Sequence, residues 1–203
     1  MIDLGLPSGI RWADRNIGAK SPEDGGLYFQ WGDTQGYTAD QVGTGEGKKA
    51  FTWSDYKFSG PGANDDNPQL TKYCNIADFG KDGFVDNKLV LDLEDDAAHV
   101  NMGIIWRMPT KEDFKELLQN TDKEIIPLSK TYIVKFVNKN DSTKYILIPM
   151  TGSTESLDTS YAWIWTNSVY ELPSSAWTTH ISNDNSNPQE RMRYIGLPIR
   201  GIC

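Results

Sequence analysis

Two runs of β-branched and aromatic residues, separated by a short polar stretch, constrain the fold of this chain most strongly. The runs cover residues 131–137 and 144–149, and residues 138–142 between them contain only Asn, Lys, Asp and Ser. Val, Ile, Tyr and Phe favour strands, and a polar connection of this length is typical of a β-hairpin. We therefore expect two antiparallel strands in this part of the chain.

Helical patterns precede the hairpin. Within residues 110–118, Thr110 occupies an N-cap position and Asp113 the matching capping-box position, ahead of an apolar face. Residues 94–100 begin with acidic side chains that complement the positive end of a helix, and Gly103 can end that helix. The sequence predicts two helices.

Further short strands are expected at residues 161–166, 176–181 and 193–199. Helices that are followed by antiparallel strands predict an α+β domain. Residues 32–70 are rich in Gly, Asp, Asn and Thr and lack periodicity, which predicts a long loop or an insertion. A chain of 203 residues falls within the single-domain range, so we expect one domain over residues 1–203.

Charge and hydropathy exclude some classes of partner. The net charge is −8 and the 20 Lys and Arg residues are scattered, which disfavours nucleic acid. No run approaches the roughly 18 apolar residues of a membrane span, so we expect no membrane insertion. Residues 1–12 lack the pattern of a signal peptide, so we expect no targeting segment in this chain. Cys74 and Cys203 could form a disulfide or remain free thiols.

The last fifth of the chain mixes large aromatic residues with Ser, Thr, Asn and Asp. Binding surfaces of antibodies have this composition, because rigid rings supply contact area and short polar side chains supply adaptable hydrogen bonds. We predict a ligand-binding surface over residues 161–194, with a protein or a glycan as ligand. Its candidate contact residues are Tyr161, Trp163, Trp165, Tyr170, Trp177, Thr179, His180, Asn183, Asp184, Asn185, Asn187 and Arg193.

Strand alternation leaves the orientation of two of these tryptophans open. Trp163 and Trp165 share one face of a strand, and Ala162 and Ile164 share the other. Either pair could face the core. Four other tryptophans stand beside Gly, Pro or apolar residues and are predicted to stabilise the scaffold; these are Trp12, Trp31, Trp53 and Trp106.

A metal site is the main alternative to an organic ligand. Asp78, Asp82 and Asp86 recur at four-residue spacing around Gly80 and Gly83, and hard oxygen ligands on a bent loop suit calcium. The spacing differs from that of an EF-hand, and a solvated acidic turn is the more common reason for such a pattern. Zinc has no support, because no short Cys or His ligand spacing occurs.

Catalytic chemistry finds little support in the residues. The chain has two histidines, His99 in a predicted helix and His180 in the predicted binding surface, and neither stands in a nucleophile motif. Asp92 and the acids at 94–96 could act as acid and base, but a helix N-terminus explains them without chemistry. We expect a non-enzymatic protein.

Six separated segments of the chain form a combined pattern. The segments are Leu-Gly-Leu-Pro-Ser-Gly-Ile-Arg-Trp-Ala at 4–13, Tyr-Phe-Gln-Trp-Gly at 28–32, Asp-Asn-Lys at 86–88, Glu-Asp-Asp-Ala-Ala at 94–98, Trp-Arg-Met-Pro-Thr at 106–110 and Ile-Arg-Gly-Ile-Cys at 199–203. In this order they resemble the Fibrobacter succinogenes major paralogous domain family. Members of that family are found on surface and secreted proteins of gut Bacteroidetes. The resemblance spans nearly the whole chain.

The resemblance implies a C-type lectin-like fold, similar to that of formylglycine-generating enzymes and of variable proteins of diversity-generating retroelements. It also implies a location outside the cell, on the cell surface or on a phage virion, and a displayed C-terminal surface for ligand binding or adhesion. The chain departs from the family where relatives often carry cysteines, at residues 14–16 and 120–121, and it lacks the cysteine pair of the enzymes. A structural module of a cell-surface assembly is the alternative, followed by an enzyme.

Overall fold

The computed structural model describes residues 1–203 and contains two α-helices and eight β-strands. The elements are β1 (Ile2–Asp3), β2 (Arg11–Trp12), α1 (Ala97–Met102), α2 (Lys111–Asn120), β3 (Thr121–Pro127), β4 (Tyr132–Asn138), β5 (Tyr145–Pro149), β6 (Tyr161–Val169), β7 (Ser175–Ser182) and β8 (Ser186–Met192). The strands pair antiparallel in three sheets, β1-β2, β3-β4-β5 and β6-β7-β8. The protein is an α+β domain, as the sequence predicts.

Helix α2 begins at the predicted cap. Asp113 N donates to the Thr110 hydroxyl at 3.1 Å, and Thr110 N donates to the Asp113 carboxylate at 2.7 Å. This reciprocal pair closes the first turn and stabilises a helix by about 1 kcal/mol. The side chains of Phe114 and Leu117 are fully buried, which confirms the predicted apolar face of the helix.

Helix α1 is shorter than predicted. Its N-cap is Asp96, and the preceding residues Leu93–Asp95 form a 3-10 turn instead of the first helical turn. The buried Asp96 carboxylate accepts hydrogen bonds from Ala98 N and His99 N, and also from Met108 N beyond the helix. Asp96 therefore anchors the segment that leads into α2 as well as capping α1. Burial raises the pKa of Asp96.

The predicted hairpin is confirmed as β4 and β5, but the sheet contains a third strand that the sequence pattern did not reveal. β3 pairs with β4 from Thr121↔Asn138 to Pro127↔Tyr132. Its sequence, Thr-Asp-Lys-Glu-Ile-Ile-Pro, has no clean alternation of polar and apolar residues. β3 begins directly after α2, where the chain reverses direction and comes to lie beside β4. Its pairing with β4 makes it a strand, and no pattern within its own sequence does.

The second sheet corrects one of the three late strands. β6 and β7 lie where expected, but the third strand is β8, residues Ser186–Met192, and not residues 193–199. β8 is polar and contains Pro188, which suits the edge position that it occupies in the sheet. Residues 193–199 instead run into the core, where Leu197 makes a single bridge to Phe29.

Both faces of β6 are buried, which resolves the orientation of its tryptophans. Trp163 and Trp165 belong to a core cluster on one face of the strand, together with most of the buried aromatic residues. Ala162 and Ile164 belong to a second cluster on the other face, with the side chains of α2 and of the β3-β4-β5 sheet. β6 therefore separates two hydrophobic cores.

Between β2 and α1 the chain forms turns and five short 3-10 helices. These are Ala39–Gln41, Trp53–Asp55, Ala77–Phe79, Lys81–Gly83 and Leu93–Asp95. Residues 32–70 thus contain no α-helix or strand, yet they contribute Trp53, Tyr56 and Phe58 to the core. Of the four tryptophans predicted to support the scaffold, Trp12, Trp31 and Trp53 are buried and Trp106 is half-buried.

Arg200 attaches the end of the chain to the N-terminal segment. It is fully buried, and its guanidinium donates to the Asn16 side chain and to the carbonyls of Ala13 and Leu147 at 2.8–3.0 Å. Burial lowers its pKa to about 9, which still leaves the group charged at neutral pH. Cys74 and Cys203 are unpaired thiols in this structure. No helix has the length and apolar character that crossing a membrane requires.

Candidate functional site

Four side chains from all three strands of the β6-β7-β8 sheet stack on one face; we call them the stacked patch. They are Tyr161 and Trp163 of β6, His180 of β7 and Arg191 of β8. The Trp163 and His180 ring centroids are 4.3 Å apart, and the Arg191 guanidinium carbon lies 3.7 Å from the Trp163 centroid. Tyr161 contacts both rings, at 6.0 Å from His180 and 6.3 Å from Trp163. Trp163 forms the floor, because it is buried while the other three remain partly exposed.

Two nitrogens of the stacked patch lack a hydrogen-bond partner within the protein. They are Nδ1 of His180 and Nε of Arg191, and both atoms are buried. A buried polar atom without a partner costs about 1–3 kcal/mol, so such atoms concentrate where function requires them. Burial lowers the pKa of His180, with smaller contributions from the cations Arg191 and Lys123, so the imidazole is neutral at pH 7.

The turn between β7 and β8 borders the stacked patch. Asn183, Asp184 and Asn185 are exposed there, as the polar composition predicted, and Asn187 is partly exposed at the start of β8. Lys123 of β3 supports the turn from the neighbouring sheet: its Nζ donates to the carbonyls of Ser182 at 2.8 Å and Asn183 at 3.0 Å. The turn backbone is therefore held in place while its three side chains extend into solvent.

Tyr170 and Trp177 lie on the other side of the sheet. β7 pairs with β8 without interruption from Ser175 to Ile181, so Trp177 and His180 point to opposite faces. The Tyr170 and Trp177 rings meet edge to face at 4.7 Å, and Lys111 Nζ lies 3.9 Å from the Trp177 ring centroid. These two residues form a separate aromatic pair beside α2 and do not join the stacked patch.

Three of the predicted contact residues are structural, which corrects their assignment. Trp165 is fully buried, and its Nε1 donates to Phe29 O at 2.8 Å. Thr179 is fully buried on the opposite face, between the sheet and the second core. Arg193 is fully buried as well. The alternation of side chains along a strand does not show whether both faces of the sheet are covered. The prediction from sequence therefore assigned these residues to the surface.

Arg193 is the centre of a polar network inside the first core. Its guanidinium donates to the Tyr56 hydroxyl and to three carbonyls, those of Lys72, Tyr73 and Pro173, at 2.8–3.1 Å. The guanidinium carbon also lies 4.7 Å from the Trp31 ring centroid. The residue thereby connects the long irregular region to the segment before β7.

The structure does not assemble the predicted calcium site. Asp78 and Asp82 lie on two separate 3-10 helices, and the Asp86 carboxylate already accepts from the backbone N–H groups of Tyr73, Cys74 and Lys88 at 2.8–3.1 Å. Asp86 therefore closes a turn. The prediction of calcium at Asp78, Asp82 and Asp86 is corrected, because these carboxylates do not converge.

A different acidic group does converge, but around a lysine. Carboxylate oxygens of Asp92, Glu94 and Asp95 lie within 4.8 Å of one another, and Lys72 Nζ contacts all three at 2.9, 3.0 and 2.5 Å. Lys88 and Lys72 lower the pKa of Asp92 to about 2, and the three carboxylates together raise the pKa of Lys72 against its burial. The ammonium group occupies the position that a cation would take.

Two cavities were missed at the level of sequence, and the smaller one adjoins the stacked patch. The larger, of about 480 Å3, is lined by residues of the long irregular region together with Thr154, Glu155 and Tyr194. The smaller, of about 280 Å3, is lined by Glu155, Arg191 and Met192 among others. Glu155 lines both, so the two cavities are neighbours. In the sequence, Trp53 was predicted to stabilise the scaffold and Tyr194 ended the predicted binding surface, so neither pointed to a cavity.

The side chains of His99 and His180 form no hydrogen bond with any hydroxyl, thiol or carboxylate of the protein.

The chain matches no family model, no curated protein and no solved structure.

Proposed function

We propose that this protein is a non-enzymatic recognition domain that binds a protein or glycan ligand through the stacked patch and the adjoining β7–β8 turn. The observation that carries the proposal is the pair of buried, unpartnered nitrogens on His180 and Arg191, held on an aromatic floor at the surface. A ligand that supplies an acceptor to Arg191 and a donor or acceptor to His180 would satisfy both atoms.

The geometry of the patch suits recognition in three respects. Tyr161 and the ring face of His180 provide apolar contact area with few rotatable bonds, as in antibody binding surfaces. The guanidinium of Arg191 is planar and always charged, which suits carboxylates and sugar hydroxyls. Asn183, Asp184 and Asn185 form an exposed polar rim, and rims of this kind give specificity at little energetic cost.

The resemblance described above is compatible with this proposal. It implies a C-type lectin-like fold with a displayed, variable C-terminal surface on a cell or a phage, and the β7–β8 turn is the exposed part of that region. We include the lectin-like fold and the surface location in the proposal. Both depend on the six sequence segments and on no structural neighbour.

A structural module of a larger assembly is the alternative. One observation favours it: a run of exposed aliphatic side chains on the segment around α1. Exposed apolar patches often mark interfaces between proteins, and these side chains come from one stretch of the chain, residues 89–105. The residues are Leu89 (48 %), Val90 (51 %), Leu93 (61 %), Val100 (51 %), Ile104 (85 %) and Ile105 (61 %), with their exposed fractions.

Matched variants on the two faces of the sheet test the proposal. Arg191→Ala and Tyr161→Ala remove patch side chains, while Lys111→Ala and Tyr170→Ala remove a cation and a ring that contact Trp177 on the opposite face. Each protein is applied to a glycan array and to a displayed library of protein fragments, and its thermal midpoint is measured. We expect binding to weaken by about tenfold or more for the patch variants alone, as for a buried contact worth about 2 kcal/mol.

Two outcomes would contradict the proposal. Equal losses for both pairs of variants, at unchanged thermal midpoints, would place the binding surface elsewhere. Loss of self-association on substitution of Leu93 and Ile104 by Ser, together with no ligand bound by the unmodified protein, would favour the structural module.

A further inference from the structure

The larger cavity has a composition that differs from that of the stacked patch; we call it the aromatic cleft. Three rings, those of Phe51, Trp53 and Tyr194, line it together with the carboxylates of Asp65 and Glu155. Its remaining lining residues are Asn64 and small, hydroxyl-bearing or aliphatic residues, and no Lys, Arg or His is among them. A volume of about 480 Å3 is within the range of small-molecule sites.

The aromatic wall is rigid. Trp53 packs edge to face against Tyr194, with ring centroids 5.1 Å apart, and its Nε1 donates to Asp65 Oδ1 at 3.1 Å. This bond fixes one oxygen of the Asp65 carboxylate at the aromatic wall. The wall is thus preformed, and preformed walls bind ligands with little loss of conformational entropy.

Glu155, an exposed residue at the cleft, is positioned by a tight turn. Gly152 has φ 66°, and a Cβ there would stand 2.2 Å from Ser156 O, so a side chain at this position would break the turn. The neighbouring Thr154 is bonded to Gly196 in both directions, at 3.1 and 2.8 Å. The turn therefore holds Glu155 at the cleft, yet its carboxylate forms no hydrogen bond and no ion pair with the protein.

Both carboxylates influence the same tyrosine. Burial raises the pKa of Tyr194, and the charges of Asp65 and Glu155 raise it further. Both acids also line the same cavity as the Tyr194 ring. An anion entering the cleft would meet two like charges and no cation, whereas a cation would meet two opposite charges and ring faces.

We propose that the aromatic cleft binds an organic cation, an ammonium or guanidinium group, between the carboxylates of Asp65 and Glu155 and the rings of Trp53 and Tyr194. Aromatic faces attract cations, and a carboxylate adds a charge-assisted hydrogen bond. This site is distinct from the surface of the proposed function. The cation can come from a lysine or arginine of a protein or from an amino sugar of a glycan.

Charged and neutral probes of matched shape test this assignment. The probes are Nα-acetyl-lysine methylamide against Nα-acetyl-norleucine methylamide, and glucosamine against glucose. The readout is the indole N–H signal of Trp53 in proton–nitrogen NMR, assigned with Trp53→Phe. Because this N–H donates to Asp65, we expect a saturable shift with a cationic probe and none with its neutral counterpart. A response to lysine alone indicates a protein source, and a response to glucosamine alone indicates a glycan.

Glu155→Gln is the decisive variant, because the Glu155 side chain supports no other contact. We expect it to weaken binding of the cationic probe by about fivefold, as for a partly exposed ion pair. Glu171→Gln removes the same charge from an exposed residue outside the cleft and should leave binding unchanged. Equal shifts with lysine and norleucine probes, no saturable shift with any cation, or unaltered binding by Glu155→Gln would each overturn the proposal. None of these results depends on Arg191 or Tyr161, so this site and the proposed function can fail separately.

Discussion

Replacement of Arg193 by Met should destabilise the protein severely, although the composition of this region points to a surface contact. Arg193 is fully buried and makes four hydrogen bonds, to the Tyr56 hydroxyl and to the carbonyls of Lys72, Tyr73 and Pro173. Met approximates the volume of the side chain but donates nothing. Three buried carbonyls and one hydroxyl would lose this donor, at about 1 kcal/mol each or more. We expect the free energy of unfolding to fall by about 4 kcal/mol.

Urea unfolding, followed by tryptophan fluorescence and circular dichroism, measures this loss. Arg191→Met is the matched control, because Arg191 lies only two residues earlier and stacks on Trp163 from the exposed side. Its loss should cost about 1 kcal/mol or less, as for an exposed cation–π contact. If Arg193→Met does not fold at all, Arg193→Lys provides the same test. One ammonium group cannot replace a planar guanidinium that donates four hydrogen bonds, so the Arg193→Lys variant should be far less stable than the Arg191→Met control. Similar stabilities for the Arg191 and Arg193 variants would refute the assignment of Arg193 to the core.

Two further predictions concern the second sheet. Because the pKa of His180 is lowered by its burial and then by Arg191 and Lys123, the unfolded chain binds a proton more readily than the folded one. The contribution of neutral His180 to the free energy of unfolding should be fully present above about pH 6.5 and should fall as the pH drops below that value. His180→Gln should make the urea midpoint depend less on pH between about pH 5.5 and 7.5, and an unchanged pH dependence would contradict this. Trp165→Ala should lower the free energy of unfolding by about 3–5 kcal/mol, because it creates a cavity and removes the bond to Phe29 O; a loss below 1 kcal/mol in urea unfolding would show that the site is not packed as described.

Local patterns predicted the elements whose causes are local. The capping box of Thr110 and Asp113 fixes the start of α2 within a few residues, and both partners are visible in the sequence. The β4–β5 hairpin has strand-forming residues and a polar connection within one continuous stretch. In both cases the residues that determine the structure are neighbours along the chain, so reading them needs no knowledge of the fold.

The elements that depend on distant pairing were not predictable in this way. β8 is polar and contains Pro188, and it becomes a strand because β7 offers a free edge to its backbone. Residues 193–199 are more apolar than β8, and their sequence therefore predicts a strand, but in the structure most of them are buried in the core outside any strand. The calcium prediction failed for a related reason: regular spacing of Asp78, Asp82 and Asp86 says nothing of the backbone donors that Asp86 meets across the fold.

The sequence predicted which kinds of residue form the candidate surface but not which individual residues belong to it. Arg191 and Arg193 are two residues apart and chemically identical, and both contact rings of the first core, Arg191 at Trp163 and Arg193 at Trp31. Arg191 is partly exposed, whereas Arg193 is fully buried, because β8 ends at Met192 and the chain beyond it runs into the core. The difference is therefore set by where the edge strand ends.

The same geometry limits how the region can serve recognition. Residues 161–194 form both the proposed binding surface and the layer between two hydrophobic cores. Side chains can be exchanged without loss of the fold only where no core contact is lost, because each buried large side chain contributes several kcal/mol. Within the proposed binding surface, that condition is met best by the exposed turn at 183–185, followed by the partly exposed side chains of His180 and Arg191. Adaptation of this surface to new ligands should therefore act first through the turn, on a fixed scaffold.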